Sequence, residues 1–297
     1  MKRNLLFLSL AGMAMIANAQ SVSPEVIATS GDYYENANIS ISWSLGEVVT
    51  ETFTGASIIL TQGFQQPFGL QITGVDLDLM VFLEGPFAGS EMVPALNAAG
   101  LIPLSQPYNT TPWNYAGTES VVAIPNPDVV DWVLIELRDA PNAGSATGST
   151  QIAMQAAFLL RDGSVVGLDG SSILQFNSSV AQQLFVIVWH RNHLGIMSAN
   201  GVLAQGGIFT YNFSLSATQV HGGSLGYKQL PGGLWGMVAG DSNHDGLINI
   251  TDKSEWAAWA GKQGYINADF TMDGQVNNPD KDDRWVPNTT KTGQVPD

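Results

Sequence analysis

Near its C-terminal end the chain carries one acidic, glycine-centred loop twice, at Asp241–Asp252 and Asp269–Asp280. A hard divalent cation such as calcium takes about six to eight oxygens at roughly 2.3 to 2.6 Å, and a twelve-residue loop supplies them from positions 1, 3, 5, 7, 9 and 12. In the first copy those positions hold Asp241, Asn243, Asp245, Leu247 (through its carbonyl), Asn249 and Asp252. In the second they hold Asp269, Thr271, Asp273, Gln275, Asn277 and Asp280. Position 6 is Gly246 or Gly274, where a Cβ would obstruct the sharp turn. Position 8 is apolar in both, Ile248 and Val276. A single loop of this composition is also an ordinary polar turn, because Asp, Asn and Gly crowd turns. Two in-register copies, each closing on an acid, predict two bound calcium ions. Thr271 is a poorer ligand than Asp or Asn, so the second site is expected to be the weaker.

The tandem loops resemble a dockerin, a family that carries a duplicated D-x-N-x-D-G-x-I/V-N-x-x-D calcium loop with a helix after each copy. Asp241–Asp252 matches that pattern throughout; the second copy departs at Thr271. The likeness covers about residues 238–297 and implies a calcium module. It also implies that positions 10 and 11, Ile250-Thr251 and Asn278-Pro279, face a cohesin-like protein partner. Residues 251–261 read as the first helix, with Trp256, Trp259 and Ala260 at i, i+3 and i+4 as its apolar stripe. The second helix can begin at Pro279 and is cut short by Pro287. The wording of Ser42–Glu47, Leu60–Pro67 and the stretch after Asp280 is similar to that of secreted Bacteroidetes-type β-rich proteins.

The N-terminus reads as a secretory signal over residues 1–19: Lys2 and Arg3, an apolar run from Leu5 to Ile16, and Ala17-Asn18-Ala19 ahead of Gln20. The run is too short to span a membrane, and no other stretch reaches the roughly eighteen apolar residues a crossing needs. Membrane insertion is therefore not expected. The chain contains no cysteine, which removes disulfides, thiol chemistry and a lipoprotein anchor. Its formal charge is -15, and no Lys or Arg occurs between Arg3 and Arg138, which argues against nucleic acid as a partner. An exported protein at the cell surface, in the medium or in the periplasm is the expected setting, one where calcium can do the stapling that disulfides do elsewhere.

Short alternating runs bounded by Gly, Asn and Pro mark the rest as mainly β. Residues 20–72 read as an N-terminal β-rich segment and 73–228 as an antiparallel β-sandwich, with 229–237, around Leu230-Pro-Gly-Gly-Leu234, as a linker into a small helical calcium module at 238–297. Asp162-Gly163 between apolar runs predicts a hairpin. In Val133–Arg138 the two charges fall on one alternating face, as for a strand with one wet side.

Other candidate chemistry is sparser. His190-Arg-Asn-His193 has H-x-x-H spacing, and imidazole suits zinc or copper, yet on a strand the two rings would point to opposite faces. Tyr108, Trp113 and Tyr115 gather in one loop, where aromatic faces could stack on a glycan or simply pin the loop to the body. His221-Gly-Gly reads as turn chemistry. Glu84, Glu91, Glu119, Asp131 and Glu136 could supply the carboxylate pair of a glycoside hydrolase, but spacing selects none of them, and no hydrolase, nucleotide or metalloprotease motif is present. The expectation is a secreted, non-catalytic calcium-binding protein for attachment or assembly. The alternatives are a carbohydrate-binding component of polysaccharide degradation and an unrecognised hydrolase.

Overall fold

The computed structural model describes residues 30–36, 39–45, 52–54, 59–61 and 74–297, and the chain divides into two compact units, Met1–Leu70 and Gln71–Asp297. The signal sequence at 1–19 lies outside the described residues. In the first unit β1 (Ser30–Asn36) pairs antiparallel with β2 (Ile39–Leu45), and β3 (Thr52–Thr54) with β4 (Ile59–Thr61).

The second unit is built on one nine-stranded sheet. Its strands are β5 (Val75–Met80), β8 (Val129–Ala140), β9 (Gln151–Leu160), β10 (Ser164–Val166), β11 (Leu174–Phe176), β12 (Gln183–His190), β13 (His193–Met197), β14 (Ala204–Gln205) and β15 (Ile208–Asn212). Two-residue strands β6 (Phe87–Ala88) and β7 (Glu91–Met92) pair separately. The sheet order is β13-β12-β8-β9-β10-β5-β15-β14, with β11 also on β5; every pairing is antiparallel except β15 with β5. In β5 the period of two is plain, with Val75, Leu77 and Leu79 buried and Asp78 exposed. Asp162-Gly163 makes the expected hairpin between β9 and β10, Gly163 taking φ +91° and donating to Leu160 O at 2.9 Å.

A mainly β chain with antiparallel pairing is thus what forms, and β5, β8, β9 and β12 contribute to one apolar core. Trp132 sits at its centre, fully buried, with Nε1 donating to Pro103 O at 2.8 Å and its ring 4.1 Å from that of Phe158. Truncating such a side chain to Ala costs about 3–5 kcal/mol.

Two expectations change. The face of β8 carrying Glu136 and Arg138 is not wet: both residues are 4 % exposed. Arg138 Nε pairs with Glu136 at 2.6 Å, its Nη1 donates to Ala146 O and to Pro296 O, and Trp189 Nε1 donates to Glu136 Oε2. The C-terminal stretch runs back over this face, Val295 packing with Phe185 and Ile187, so alternation alone misread a covered surface as solvent. The segment 229–237 is not a spacer. β16 (Tyr227–Gln229) and β17 (Trp235–Met237) form a hairpin whose turn is closed by Leu230 N to Leu234 O at 2.7 Å. Met237 then bridges to Leu83 of the body, which places residues 238–297 in the same compact unit as the sheet.

Among the described residues helix occurs in short pieces, single 3-10 turns aside: α1 (Ala95–Ala98), α2 (Ile250–Trp259), and a run from Asp280 to Trp285 that continues into α3 (Val286–Asn288). The last run is wound wide, Val286 N donating to Lys281 O, and Pro287 sits within the first turn of α3, where its missing N–H is harmless.

Candidate metal centre

The two acidic loops close on themselves in the same way. In the first, Asp241 Oδ2 accepts from Gly246 N at 3.1 Å, Asp245 Oδ1 from Leu247 N at 2.9 Å, and Asp252 from Asn249 N at 2.8 Å and Asn243 N at 3.4 Å. In the second, Asp269 Oδ2 accepts from Gly274 N at 2.8 Å, Asp273 Oδ1 from Gln275 N at 2.9 Å, and Asp280 from Asn277 N at 2.7 Å and Thr271 N at 2.8 Å. Positions 1, 5 and 12 thus receive amides of positions 6, 7, 9 and 3 in both loops. Position 4, His244 or Met272, has positive φ in each, followed by the glycine that shares it. Asn249 caps α2, its side chain accepting from Thr251 N while Asp252 accepts from the Asn249 amide.

A second likeness joins the loops across a pseudo-twofold. Gly261 N donates to Val276 O and Val276 N to Lys262 O; equivalently, Thr290 N donates to Ile248 O and Ile248 N to Lys291 O. Gly264 N reaches Gly274 O, and Gly293 N reaches Gly246 O. Trp256 Nε1 donates to Asn277 O at 2.8 Å, Trp285 Nε1 to Asn249 O at 2.9 Å. Lys281 lies over the Trp256 ring and Lys253 over the Trp285 ring. Each loop is therefore completed by the strand and helix of the other repeat. Loop equivalents are separated by 28 residues (269 − 241) and the later partners by 29 (285 − 256), and the wide turn of Asp280–Trp285 absorbs the difference. In α2, Trp256 is engaged while Trp259 is 49 % exposed and Ala260 is exposed, so the expected apolar stripe is buried only at its first member.

The electrostatics of the loops are those of a set short of positive charge. Asp241, Asp252, Asp269 and Asp280 are all buried. Burial, with the charges of Asp252 and Asp245, pushes the Asp241 carboxyl up to about 8. Burial raises Asp269 to about 7, with Arg191 pulling it down and Asp280 pushing it up; burial also raises Asp252 and Asp280. Asp241 Oδ1 and Asn277 Oδ1 are buried with no hydrogen-bond partner. Carboxylates buried in this way need a proton or a cation. Among the described residues no three acidic or histidine side chains converge into a metal cluster. Asp245 and Asp273 stand exposed and turned onto amides, and the remaining oxygens of each set are amide, hydroxyl or main-chain. The donor set is all oxygen, which suits calcium and not a transition metal.

The His190–His193 segment has a different role. The two residues are paired across the tight turn between β12 and β13, so the rings meet, Nδ1 to Nδ1 at 2.9 Å, instead of facing apart. His193 Nε2 accepts from Gly85 N, His193 Nδ1 faces Asn192 Oδ1, and His190 Nε2 faces Asp131. Every ring nitrogen is thereby used, leaving no lone pair for zinc or copper. Burial lowers the pKa of both rings and keeps them neutral. Around them Asp131 accepts from Arg191 Nε at 2.9 Å and Tyr265 OH at 2.6 Å, Arg191 Nη1 donates to Ile266 O, and Asn192 Nδ2 donates to Asp269 O. Burial opposes ionisation of Asp131, but Arg191 and the hydrogen bonds from His190 and Tyr265 outweigh it and hold its carboxyl at about 2. This network fastens the second loop to the sheet. Sequence spacing gave no sign of it, because its members come from β8, the β12–β13 turn and the segment before the loop.

Of the aromatic trio, Tyr108 is fully buried and donates to Trp132 O at 2.7 Å, so it presents no face. Tyr115 is half-buried and bonded to Glu119. Trp113 is half-buried, edge-on to Tyr108 at 5.0 Å and to His244 of the first loop at 4.5 Å. Each of the five acids considered for hydrolysis has a partner, although Glu119 keeps one oxygen, Oε2, buried without one. Glu84 is held by Lys228, Asn288 and Ala239 N; Glu91 pairs with Arg161; Glu119, Asp131 and Glu136 have the partners given above.

No family model matches the chain, and no curated protein matches it. Two solved structures from Acetivibrio cellulolyticus are similar to it, both type II cohesin–X-dockerin complexes: an N-terminal interface mutant (13 % identity, 73 % of this chain and 97 % of the matched chain, TM-score 0.37) and a C-terminal interface mutant (13 % identity, 74 % and 97 %, TM-score 0.36).

Proposed function

We propose that residues 238–297 hold two calcium ions in dockerin-like loops and that the protein is an exported, non-catalytic component of cell-surface attachment or extracellular assembly. The observation that carries this reading is the buried, unpartnered Oδ1 of Asp241 in a loop whose four hydrogen bonds recur in a second copy. Asp241, Asn243, Asp245, Leu247, Asn249 and Asp252 would hold one ion, and Asp269, Thr271, Asp273, Gln275, Asn277 and Asp280 the other. Calcium would neutralise carboxylates that the fold has desolvated, and it would stiffen a module whose two halves brace each other. Ile250, Trp259 and Val286 stand exposed on the helices and offer apolar surface to a protein partner. The non-catalytic part of the reading is supported by the hydrogen bonds that tie Glu84, Asp131 and Glu136 into the fold.

The test is calorimetric titration of calcium into the chelator-treated, dialysed protein, with melting followed in parallel. Two binding events are expected. At calcium about 100-fold above its dissociation constant each site adds about 2.7 kcal/mol, or about 5–10 °C in melting temperature for a unit of this size. Absence of heat together with an unchanged melting curve would refute the reading.

A further inference from the structure

Where the first loop faces the covered side of the sheet there is a cavity of about 840 Å³, within the range that takes a small ligand. Its wall includes Trp113, Trp189, Glu136, Arg138, Met154 and Asp245. Trp189 is fixed in place. Its Nε1 donates to Glu136 Oε2 at 2.7 Å, and its indole lies so close over Gly195 that a Cβ there would come within 2.3 Å of the ring. The ring is nevertheless only half-buried, so a pinned aromatic surface borders the cavity. Trp113, the second indole on the wall, is held edge-on by Tyr108 and His244 and is likewise half-buried.

The polar groups narrow the ligand class. Arg138 is neutralised by Glu136, and in calcium Asp241 and Asp245 are taken up by the ion, so an anion finds no free counter-charge in this pair or in the loop. With Asp241 and Asp245 on calcium and Glu136 on Arg138, a compact cation is left only the indole faces. A neutral polyol uses more of the wall: its C–H faces lie on indole and its hydroxyls meet the Glu136–Arg138 pair. We infer that this cavity is a saccharide-binding site, with the indoles of Trp189 and Trp113 as its platforms. This goes beyond the calcium reading, since the cavity is defined by the sheet and Trp113 as well as by the first loop.

The experiment is calorimetric titration of the full protein, in calcium, with soluble cello-, xylo- and manno-oligosaccharides and separately with tetramethylammonium chloride. Binding of at least one oligosaccharide is expected, weakened about tenfold or more by Trp189→Ala and by Trp113→Ala, with melting curves confirming that each variant is folded. If an alanine variant does not fold, the Phe replacement at that position is used and the same direction of weakening is expected. Heat from none of the saccharides, saccharide binding indifferent to both tryptophans, or binding of tetramethylammonium alone would each overturn the proposal.

Discussion

The first and second loops share four hydrogen bonds, yet their opening aspartates live in different company. Asp241 Oδ1 has no partner, whereas Asp269 Oδ1 accepts from Asp273 N at 3.2 Å and from the Thr271 hydroxyl at 3.3 Å. The hydroxyl's single proton is shared with Asp280, the nearer acceptor at 2.8 Å, where Asn243 in the first loop bonds outward to Asp245. The second loop is further steadied by the Arg191 charge close by and by Asn192 on its first carbonyl. A donor at position 3 and a cation beneath the loop do part of what a metal ion would do. In the first loop the donor at position 3, Asn243, goes to Asp245 and leaves Asp241 Oδ1 bare, so that loop would depend more on an ion.

Three experiments bear on this contrast. The largest effect is expected from Arg191→Met, which leaves Asp131 buried without its counter-charge and should cost about 3–5 kcal/mol in urea unfolding. Its calcium heat should be altered at the weaker site and kept at the tighter one; equal loss at both would break the distinction. Next is the pH dependence of the metal-free protein. Asp241 and Asp269 bind protons more tightly in the fold than in the unfolded chain, so their contribution to stability is fully present below the ordinary carboxylate range and is lost as pH rises through about 7 and about 8. Thermal melts in chelator should therefore fall from acid to neutral pH, Asp241→Asn should remove the later part of the fall, and saturating calcium should restore about 2.7 kcal/mol per site at pH above this range. The smallest effect is expected from Thr271→Asn, which puts a carboxamide oxygen where the hydroxyl stood, as in the first loop, and should tighten the second site by about 1 kcal/mol, about fivefold, in a calcium titration. No change would mean that Arg191, not Thr271, sets the difference.

The loops were legible in the sequence because their oxygens recur at fixed offsets within twelve residues, and the β class because apolar residues alternate in runs such as Val75–Met80. What stayed hidden depends on distant partners. Glu136 and Arg138 alternate like solvent-facing charges, and only the return of residues near Pro296 over that face buries them. His190 and His193 looked separable because the turn that joins them is made by two buried polar residues, Arg191 and Asn192, whose partners are as distant as Asp131, Ile266 and Asp269. Trp189 carried no motif; its role appears once Gly195 is seen beneath its ring. The symmetry between repeats was obscured by the single extra residue between Asp280 and Trp285.

The crossed bracing has a consequence for biogenesis. Ile248 finds its main-chain partners only at Thr290 and Lys291, and Gly246 finds its own at Gly293, more than forty positions further along the chain. An emerging polypeptide that has reached Gly264 therefore owns every side chain of the earlier loop but not the edge that closes it. Nicking or trimming after Asn288 should strip support from a site that lies, in chain order, well upstream of the cut.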